Sequence, residues 1–202
     1  MDTQRFPSSD VAFSPSVKRI QSERGSRRSY ARIEEHGGWA TTLTPELTAF
    51  VTARDSFFFA TASAAGQPYI QHRGGPPGFL RVMDDATLGF ADLTGNKQYI
   101  TLGNLAENDR ALVFMIDYTI QRRVKLWVRA QVTTDAATIR SLQLSPSTDE
   151  AKQAIVLHLL AWDENCSQHI PQLVSTEKVE AYLASLHARI AELEAQLRKR
   201  TT

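Results

Sequence analysis

The sequence predicts a mainly β (α+β) fold, in which a small antiparallel sheet closes on itself between flanking helices. Short runs of β-branched and aromatic residues, separated by turn signals, fill the chain from Ser56 to Val132. A single helical segment, near Lys97 to Asn108, interrupts these runs, whereas a parallel sheet would need a helix for every crossover. A heptad pattern occupies the end of the chain. We therefore expect a small β-barrel with flanking helices and a C-terminal heptad helix.

Two short helices are predicted ahead of the sheet. The segment from Ser14 to Arg24 opens with a Ser-Pro pair, which favours the start of a helix. Thr44 and Pro45 suit the N-cap and the first position of a second, amphipathic helix. The chain then divides into an N-terminal extension with a short helix over 1–43, a barrel domain over 44–172 and an amphipathic or coiled-coil helix over 173–202.

Six strands are expected within the barrel domain, at 57–63, 68–73, 79–84, 87–92, 111–117 and 124–132. The turns between them carry the Gly, Pro and Asp residues that tight reversals prefer. Residues 151–160 suit either a further strand or a helix, and we expect an ordered loop over 161–171.

The tail carries the clearest helical pattern, because six apolar residues follow one another at spacings of 4, 3, 4, 3 and 4. These residues are Val179, Leu183, Leu186, Ile190, Leu193 and Leu197. Such a heptad seam favours a coiled coil or a helix pair, and a helix lying on its own domain is the alternative.

Charge and composition exclude several classes of protein. Twenty-three Lys and Arg residues against 22 Asp and Glu residues give a net charge of +1, so the basic excess that nucleic-acid binding needs is missing. No apolar run approaches the length of a membrane span, and the first residues do not resemble a secretory signal. With one cysteine, Cys166, no internal disulfide can form. We expect a cytoplasmic protein that binds neither nucleic acid nor membrane.

Two segments concentrate unusual residues. Residues 66–79 end a strand in His-Arg-Gly-Gly-Pro-Pro-Gly, and this mixture of donors and bare backbone suits a planar, phosphorylated ligand, although a wide loop is the alternative. Residues 91–99 place Thr, Gly and Asn just before a helix and next to Lys97, where free backbone N–H groups and a cation suit an anion.

Three runs in the chain carry a family resemblance: QHRGGPPGF at 71–79, GNKQY at 95–99 and WDENCSQHI at 162–170. From about Phe13 to Pro171 the chain resembles the FMN-binding core of the pyridoxamine 5′-phosphate oxidase-related family, and more closely a bacterial branch with these motifs. The resemblance implies a split β-barrel of the FMN-binding type, a homodimer with flavin sites at the subunit interface, and flavin binding or flavin redox chemistry. The barrel domain over 44–172 is then an FMN-binding domain.

The resemblance also implies which residues bind the cofactor: Gln71, His72, Arg73, Gly74, Phe90, Ala91, Asn96, Lys97, Gln98, Arg123 and Trp162. The oxidase's Arg-x-Val-Leu-x-Lys strand falls on 71–76, where Gln71 replaces the arginine and Pro76 the lysine. Positive charge would then come from Arg73 or Arg81. Of the oxidase's phosphate-binding Arg-Lys pair, which falls on 96–97, the lysine Lys97 is retained.

Other positions depart from the family pattern. Its aromatic-Thr pair falls on Phe90 and Ala91, and its later glutamine falls near Arg123. Relatives in the branch read Leu-Trp-Gly-Arg-Ala where this chain has Val128 in place of the glycine, which would narrow or reshape the space near the flavin ring. The C-terminal residues with which true oxidases hold pyridoxamine 5′-phosphate have no counterpart, so this substrate is the less favoured alternative.

Two function classes remain open: an FMN-dependent oxidoreductase acting on a small molecule, and a flavin-binding module that senses or passes electrons. A flavin accepts and donates hydride itself, so no catalytic residue is assigned, although His72, Arg73 and Trp162 are candidates near its reactive face. NAD(P)H or another small molecule is the expected electron donor. Cys166 and His169 do not form a ligand-rich pattern, so we expect no metal and a small buried thiol at Cys166.

Overall fold

The alternation of apolar residues after residue 55 produces an antiparallel sheet. The computed structural model describes residues 6–93, 95–144 and 151–200. In these residues the strands are β1 (Ser56–Ala62), β2 (Pro68–Gly74), β3 (Arg81–Val82), β4 (Thr87–Asp92), β5 (Arg110–Asp117), β6 (Arg122–Thr133) and β7 (Gln153–Asn165). They follow the order β2-β1-β5-β6-β7-β4-β3. The six predicted strands are confirmed, and the segment open to either assignment, 151–160, is a strand from Gln153 onward.

The helices lie before, between and after the strands. They are α1 (Pro15–Glu23), α2 (Arg27–Glu35), α3 (Pro45–Thr52), α4 (Ile100–Glu107), α5 (Ala136–Leu142) and α6 (Thr176–Arg200), with a 3-10 helix at Ser8–Val11. Ser14 and Thr44 cap α1 and α3 as predicted, since their side chains accept hydrogen bonds from Val17 N and Leu47 N. Helices α2 and α5 were not predicted from the sequence. No helix in the described part of the chain is long and apolar enough to cross a membrane.

The expected loop over 161–171 was wrong in its first five residues, because β7 continues to Asn165. The residues Asp163 and Glu164 look like a loop in sequence, yet they pair with Lys125 and Val124 of β6. Across the ladder an acidic side chain therefore faces a basic one, which makes polar residues compatible with a strand.

A β-bulge interrupts the ladder between β6 and β7. Trp127 pairs with Ala161 and Val128 with Leu159, so Leu160 is the extra residue on β7. The side chain of Val128 is 1% exposed and belongs to the main hydrophobic core. At this position the valine therefore fills the barrel interior.

The sheet rolls on itself around a cluster of phenylalanines. The Phe57 and Phe59 rings of β1 contact the Phe90 ring of β4 at centroid distances of 5.3 Å and 6.0 Å. Because β1 and β4 stand four places apart in the strand order, this contact requires strong curvature. Among the described residues no backbone ladder joins β2 to β3 or β4, and the structure is therefore a split β-barrel with an α+β composition.

The chain before α3 is fastened to the barrel by aromatic side chains. The Trp39 ring stacks on Trp127 of β6 at 4.7 Å, and Phe13 packs on Trp39 at 4.9 Å. Trp162 of β7 donates a hydrogen bond from Nε1 to the carbonyl oxygen of Thr42 at 2.9 Å. The stacked tryptophans lie on the side of β6 opposite the core residues Leu126 and Val128, whereas Trp162 packs against the main core.

The described chain forms two compact units, and the barrel unit comprises the residues up to Ile116 together with Arg123–Asn165. The second unit comprises Asp117–Arg122 and the residues from Cys166 onward, including α6. Within it, Gln121 Nε2 donates to the carbonyl oxygen of Ile170 at 2.5 Å. The expectation of a buried Cys166 was wrong: the thiol is exposed, because it lies in a turn just after β7 ends.

Candidate functional site

A cavity of about 240 Å³ lies where β2, the loop from β4 to α4 and the start of β7 meet. Three parts of the chain that are far apart in sequence therefore share one site. Its described lining residues are Tyr69, Gln71, Arg73, Asp92, Leu93, Gly95, Asn96, Lys97, Gln98, Tyr99, Ile100, Thr101, Leu102, Lys152 and Gln153. Both sequence segments singled out above contribute to it, and Thr94 of the second segment lies outside the described residues.

Strand β2 presents alternate side chains to this cavity. Tyr69, Gln71 and Arg73 lie on the same face, because successive side chains of a strand point to opposite sides. The Oε1 atom of Gln71 accepts a hydrogen bond from the buried Thr101 hydroxyl of α4 at 3.1 Å. This bond fixes the amide of Gln71 against the first turn of α4.

Arg73 is held by an ion pair across the split of the barrel. Its Nη1 atom lies 2.8 Å from Oδ1 of Asp92 on β4, and Oδ2 of Asp92 accepts a hydrogen bond from Gln153 Nε2 at 2.8 Å. The guanidinium also lies 5.6 Å from the centroid of the Phe90 ring, and its Nε is buried without a hydrogen-bond partner. Asp92 therefore offsets the positive charge that the sequence led us to expect from Arg73.

Two lysines give the cavity its remaining positive charge. Lys97 and Lys152 both line it, and Asp92 is the single acidic residue among the described lining residues. Arg81, the other cation considered from the sequence, lies on β3 and is not among them. Lys152 was missed by the sequence analysis, because no local signal marks it and only the pairing of β4 with β7 brings it to the cavity.

The backbone beside Lys97 is strained. Lys97 and Tyr99 both have left-handed backbone angles, with φ of 59° and 57°, which non-glycine residues adopt at a cost. Tyr99 is the N-cap of α4 and makes no side-chain capping hydrogen bond. The N-terminal turn of α4, Ile100 to Leu102, lines the cavity, so the positive end of the helix dipole lies beside the two lysines. This arrangement suits an anion.

A second, mostly apolar cavity of about 190 Å³ adjoins the first and shares Arg73 and Leu93 with it. Gly74, Phe90 and Ala91 line it, as do residues of the Gly-Pro run. A Cβ atom on Gly75 would lie 2.7 Å from the Phe79 ring, which stacks on Phe57 at 5.4 Å. The glycine at 75 is thus required for packing under this cavity.

A third cavity, of about 560 Å³, shares Leu102 and Gln153 with the first. Polar side chains on its lining include His158 of β7 and the ion pair between Arg129 and Asp109, at 2.6 Å. The three cavities therefore form a series, and the first, which we call the cationic cavity, lies in the middle.

Three predicted site residues lie elsewhere. His72 is exposed on the other face of β2, with its ring 5.7 Å from Phe58. Arg123 pairs with Asn165 across the β6–β7 ladder, and Arg123 Nε and Asn165 Oδ1 are both buried without a hydrogen-bond partner. Trp162, bonded to Thr42 as described above, is likewise not among the described residues that line the cationic cavity. Of the residues predicted from the sequence to bind the cofactor, Gln71, Arg73 and residues 96–98 line the cationic cavity.

One half-buried carboxyl lies away from the cavities. Burial raises the pKa of Asp163, although the facing Lys125 acts in the opposite direction. No group of His, Cys, Asp and Glu side chains that could hold a metal ion occurs within residues 6–93, 95–144 and 151–200. Among the described residues, the charged side chains that line the cationic cavity are Arg73, Lys97, Lys152 and Asp92.

The sequence of the barrel matches a known family over most of its length. Residues 43–166 match the family model of pyridoxamine 5′-phosphate oxidase. The chain belongs to this family. Members of the pyridoxamine 5′-phosphate oxidase family include oxidoreductases and flavin-binding proteins, so the family itself leaves both functions open. No curated protein matches the sequence.

Solved structures of similar fold include several from bacteria. HupZ of Group A Streptococcus is 18% identical, with 65% of this chain and 98% of that chain covered and a TM-score of 0.49. An FMN-binding protein from Syntrophomonas wolfei is 13% identical, with 72% and 97% covered and a TM-score of 0.47. A Clostridium acetobutylicum protein related to general stress protein 26 is 12% identical, with 66% and 94% covered and a TM-score of 0.46. The family assignment rests on the sequence match.

Proposed function

We propose that this protein binds FMN in the cationic cavity and acts as an FMN-dependent oxidoreductase on a small molecule. The observation that carries the proposal is the convergence of Lys97, Lys152 and the uncapped start of α4 on one cavity. Phosphate groups bind well where a helix N-terminus and basic side chains meet. Membership of a family that binds flavin supports a flavin as the ligand.

The phosphate of FMN would be held by Lys97 and Lys152, while Gln71 and Arg73 would lie closer to the ring system. Arg73 supports this assignment, because Asp92 offsets its charge while its buried Nε keeps an unused donor. A neutralised guanidinium beside an apolar cavity suits the polar edge of a planar ring better than a phosphate. When bound, the flavin would supply hydride transfer, and these residues would orient it and exclude water.

The space around the cationic cavity favours an enzyme over a flavin carrier. A volume of about 240 Å³ is below the range of roughly 300 to 1,000 Å³ that is usual for small-molecule sites, so FMN would have to extend into a neighbouring cavity. The larger neighbour, with His158, Arg129 and Asp109, offers further room and polar groups to a substrate. NAD(P)H or another small-molecule donor would supply the electrons.

We further propose that a second copy of the chain completes the flavin site. The cationic cavity is partly open to the surface, and β2, which contributes Gln71 and Arg73, is an edge strand. A ligand bound there would stay partly in water unless another surface covered it. A homodimer through the barrel faces would provide that cover.

Flavin titration tests this function. The intrinsic flavin fluorescence should be quenched on addition of protein, with FMN bound more tightly than riboflavin and one FMN taken up per chain. Anaerobic addition of NADPH should then bleach the visible absorbance of the bound flavin. Absence of FMN binding would contradict the proposal as a whole, whereas binding without reduction by any donor would favour a flavin-binding module.

The same preparation tests the less favoured substrate. Pyridoxamine 5′-phosphate should not be oxidised in air, because the C-terminal residues that grip it in true oxidases have no counterpart in this sequence. Hydrogen peroxide formation measured with and without this substrate is the readout. Efficient substrate-dependent peroxide production would identify the protein as a true oxidase.

A further inference from the structure

Helix α6 carries an apolar stripe that the described structure leaves in water. The helix runs for 25 residues, from Thr176 to Arg200, and none of its residues is buried. The side chains of the stripe are between 41% and 61% exposed. They are Val179, Leu183, Leu186, Ile190, Leu193 and Leu197. An exposed stripe of this length is unfavourable in water and indicates an interaction surface.

The width of the stripe indicates the geometry of the contact. Leu183, Ile190 and Leu197 occupy the a positions of a heptad, and Val179, Leu186 and Leu193 occupy the d positions. A helix that packs on a globular domain usually adds apolar residues at e or g, whereas a strict a and d seam is the pattern of a coiled coil. Here the e positions hold Glu180, His187 and Glu194, and the g positions hold Tyr182, Arg189 and Gln196. The seam is therefore narrow and bordered by mainly polar side chains.

The charges beside the seam match a second copy of the same helix in parallel orientation. In a parallel coiled coil, a g residue faces the e residue five positions later on the partner helix. Arg189 would then face Glu194 of the partner subunit, twice per dimer. These two residues do not face each other within one helix, where Arg189 pairs with Glu192 at 2.5 Å. The charges of Arg189 and Glu194 can therefore attract each other directly only between two helices.

The antiparallel alternative brings like charges together. If the two seams overlapped fully in opposite directions, e would face e and g would face g. Arg189 would then face its own copy, and Glu180 would face Glu194 of the partner subunit. Both contacts are repulsive. The arrangement of a single positive g residue and two negative e residues thus selects the parallel orientation.

We propose that α6 pairs with α6 of a second copy as a parallel, in-register, two-stranded coiled coil. The seam favours two strands, since the β-branched Ile190 is at an a position and Leu186 and Leu193 are at d positions. The pairing is independent of the flavin site, so it can be true or false whether or not the barrel binds FMN.

Cysteine cross-linking of the full chain tests the register. In a Cys166→Ser background, which removes the exposed native thiol, Leu193→Cys places a thiol at a d position and Glu192→Cys places one at a c position. A parallel, in-register pair should form a disulfide-linked dimer at 193 roughly tenfold or more faster than at 192, because the two d residues meet at a high effective concentration. Equal rates at both positions, or no cross-link at 193, would overturn the proposal.

Charge exchange tests the pairing without altering the seam. Arg189→Glu should weaken self-association roughly three- to tenfold, measured by sedimentation together with the helical circular dichroism signal, because it introduces repulsion with Glu194 of the partner subunit. The double variant R189E/E194R should restore association. Glu192→Gln, which removes the pair within the helix, should leave association unchanged. If the double variant associates no better than Arg189→Glu alone, the parallel pairing is wrong.

Discussion

Two lysines that sequence places 55 positions apart meet in the cationic cavity, and they should distinguish FMN from riboflavin. Lys97→Ala and Lys152→Ala should each weaken FMN binding by about 1.5 to 3 kcal/mol, while riboflavin binding should change little, because riboflavin lacks the phosphate. Fluorescence titration of both flavins is the measurement. Lys178→Ala, in α6, is a matched control that should affect neither flavin. An equal loss of affinity for FMN and riboflavin would show that the two lysines do not bind the phosphate.

The ion pair between Arg73 and Asp92 should matter for stability, because it is largely buried. The two side chains are 17% and 10% exposed, and Asp92 also accepts from Gln153. Asp92→Asn should lower the free energy of unfolding by about 1 to 3 kcal/mol, since a buried guanidinium then loses its counter-charge. Asp109→Asn, which breaks the exposed pair with Arg129, should cost less than about 1 kcal/mol. Urea denaturation compares the two variants, and equal costs would contradict the assigned role.

At the scale of elements, Glu34 links the helices that precede the barrel. Its carboxylate contacts Arg27 of α2 and lies 3.3 Å from Lys18 of α1. The hydrogen bond from Arg27, together with that from Lys18, outweighs the effect of burial and holds the pKa of Glu34 below its usual range. Because this pKa is lower in the folded than in the unfolded chain, the carboxylate stabilises the fold above the unfolded-chain pKa. That contribution is lost as the pH falls through the folded pKa.

Glu34→Gln should therefore lower the urea midpoint at pH 7, and the difference from the unaltered protein should disappear in acid, below the lowered pKa of Glu34. Glu23→Gln is the control, because the pair between Arg19 and Glu23 is exposed and lies within a single helix. It should shift the midpoint little at either pH. A Glu34 effect that persists undiminished in acid would show that the side chain acts through packing and not through its charge.

Several elements with local signals could be predicted from the sequence, and elements held by distant contacts could not, although α5 was missed despite its N-cap at Asp135. Ser14 and Thr44 predict the helices that follow them, because an N-cap side chain accepts a hydrogen bond from a backbone N–H only three positions away. Strand β7 beyond Leu160 has no such signal, since Asp163 is stabilised in a strand by its cross-strand neighbour Lys125. The helix α2 was missed for a similar reason: the ion pair of its Glu34 with Lys18 of α1 depends on the arrangement of two helices.

The same limit applies to the candidate site. Gln71, Arg73 and Lys97 lie in segments of unusual composition. These segments could therefore be singled out from the sequence, and the structure places all three residues on the cationic cavity. Lys152 and the partner of Arg73, Asp92, are placed by the pairing of β4 with β7, which no pattern along the chain reveals. His72 was assigned to the site through its neighbours, although the alternation of a strand turns it to the opposite face.

At the scale of the whole molecule, the proposed flavin site shared by two chains should make FMN affinity depend on protein concentration. Diluting the protein below the dissociation constant of the dimer should release FMN, and excess FMN should in turn stabilise the dimer. Flavin fluorescence recorded during dilution, together with molecular mass from light scattering, measures both effects. A monomer that retains its full FMN affinity at every concentration would rule out the shared site.

The position of β4 in the sheet also constrains how the protein is made. Strands β1 and β2 pair close together in sequence, whereas Phe114 of β5 lies opposite Phe58 of β1, and Asp92 of β4 pairs with Gln153 of β7, 61 positions later. A ribosome has to release most of the chain before this pairing can begin, and closing so long a loop slows folding. Until then Phe90 lacks its neighbours on β7, where it pairs with Ile155. We therefore expect the growing chain to expose an aromatic surface during synthesis, and exposed surface of this kind favours aggregation.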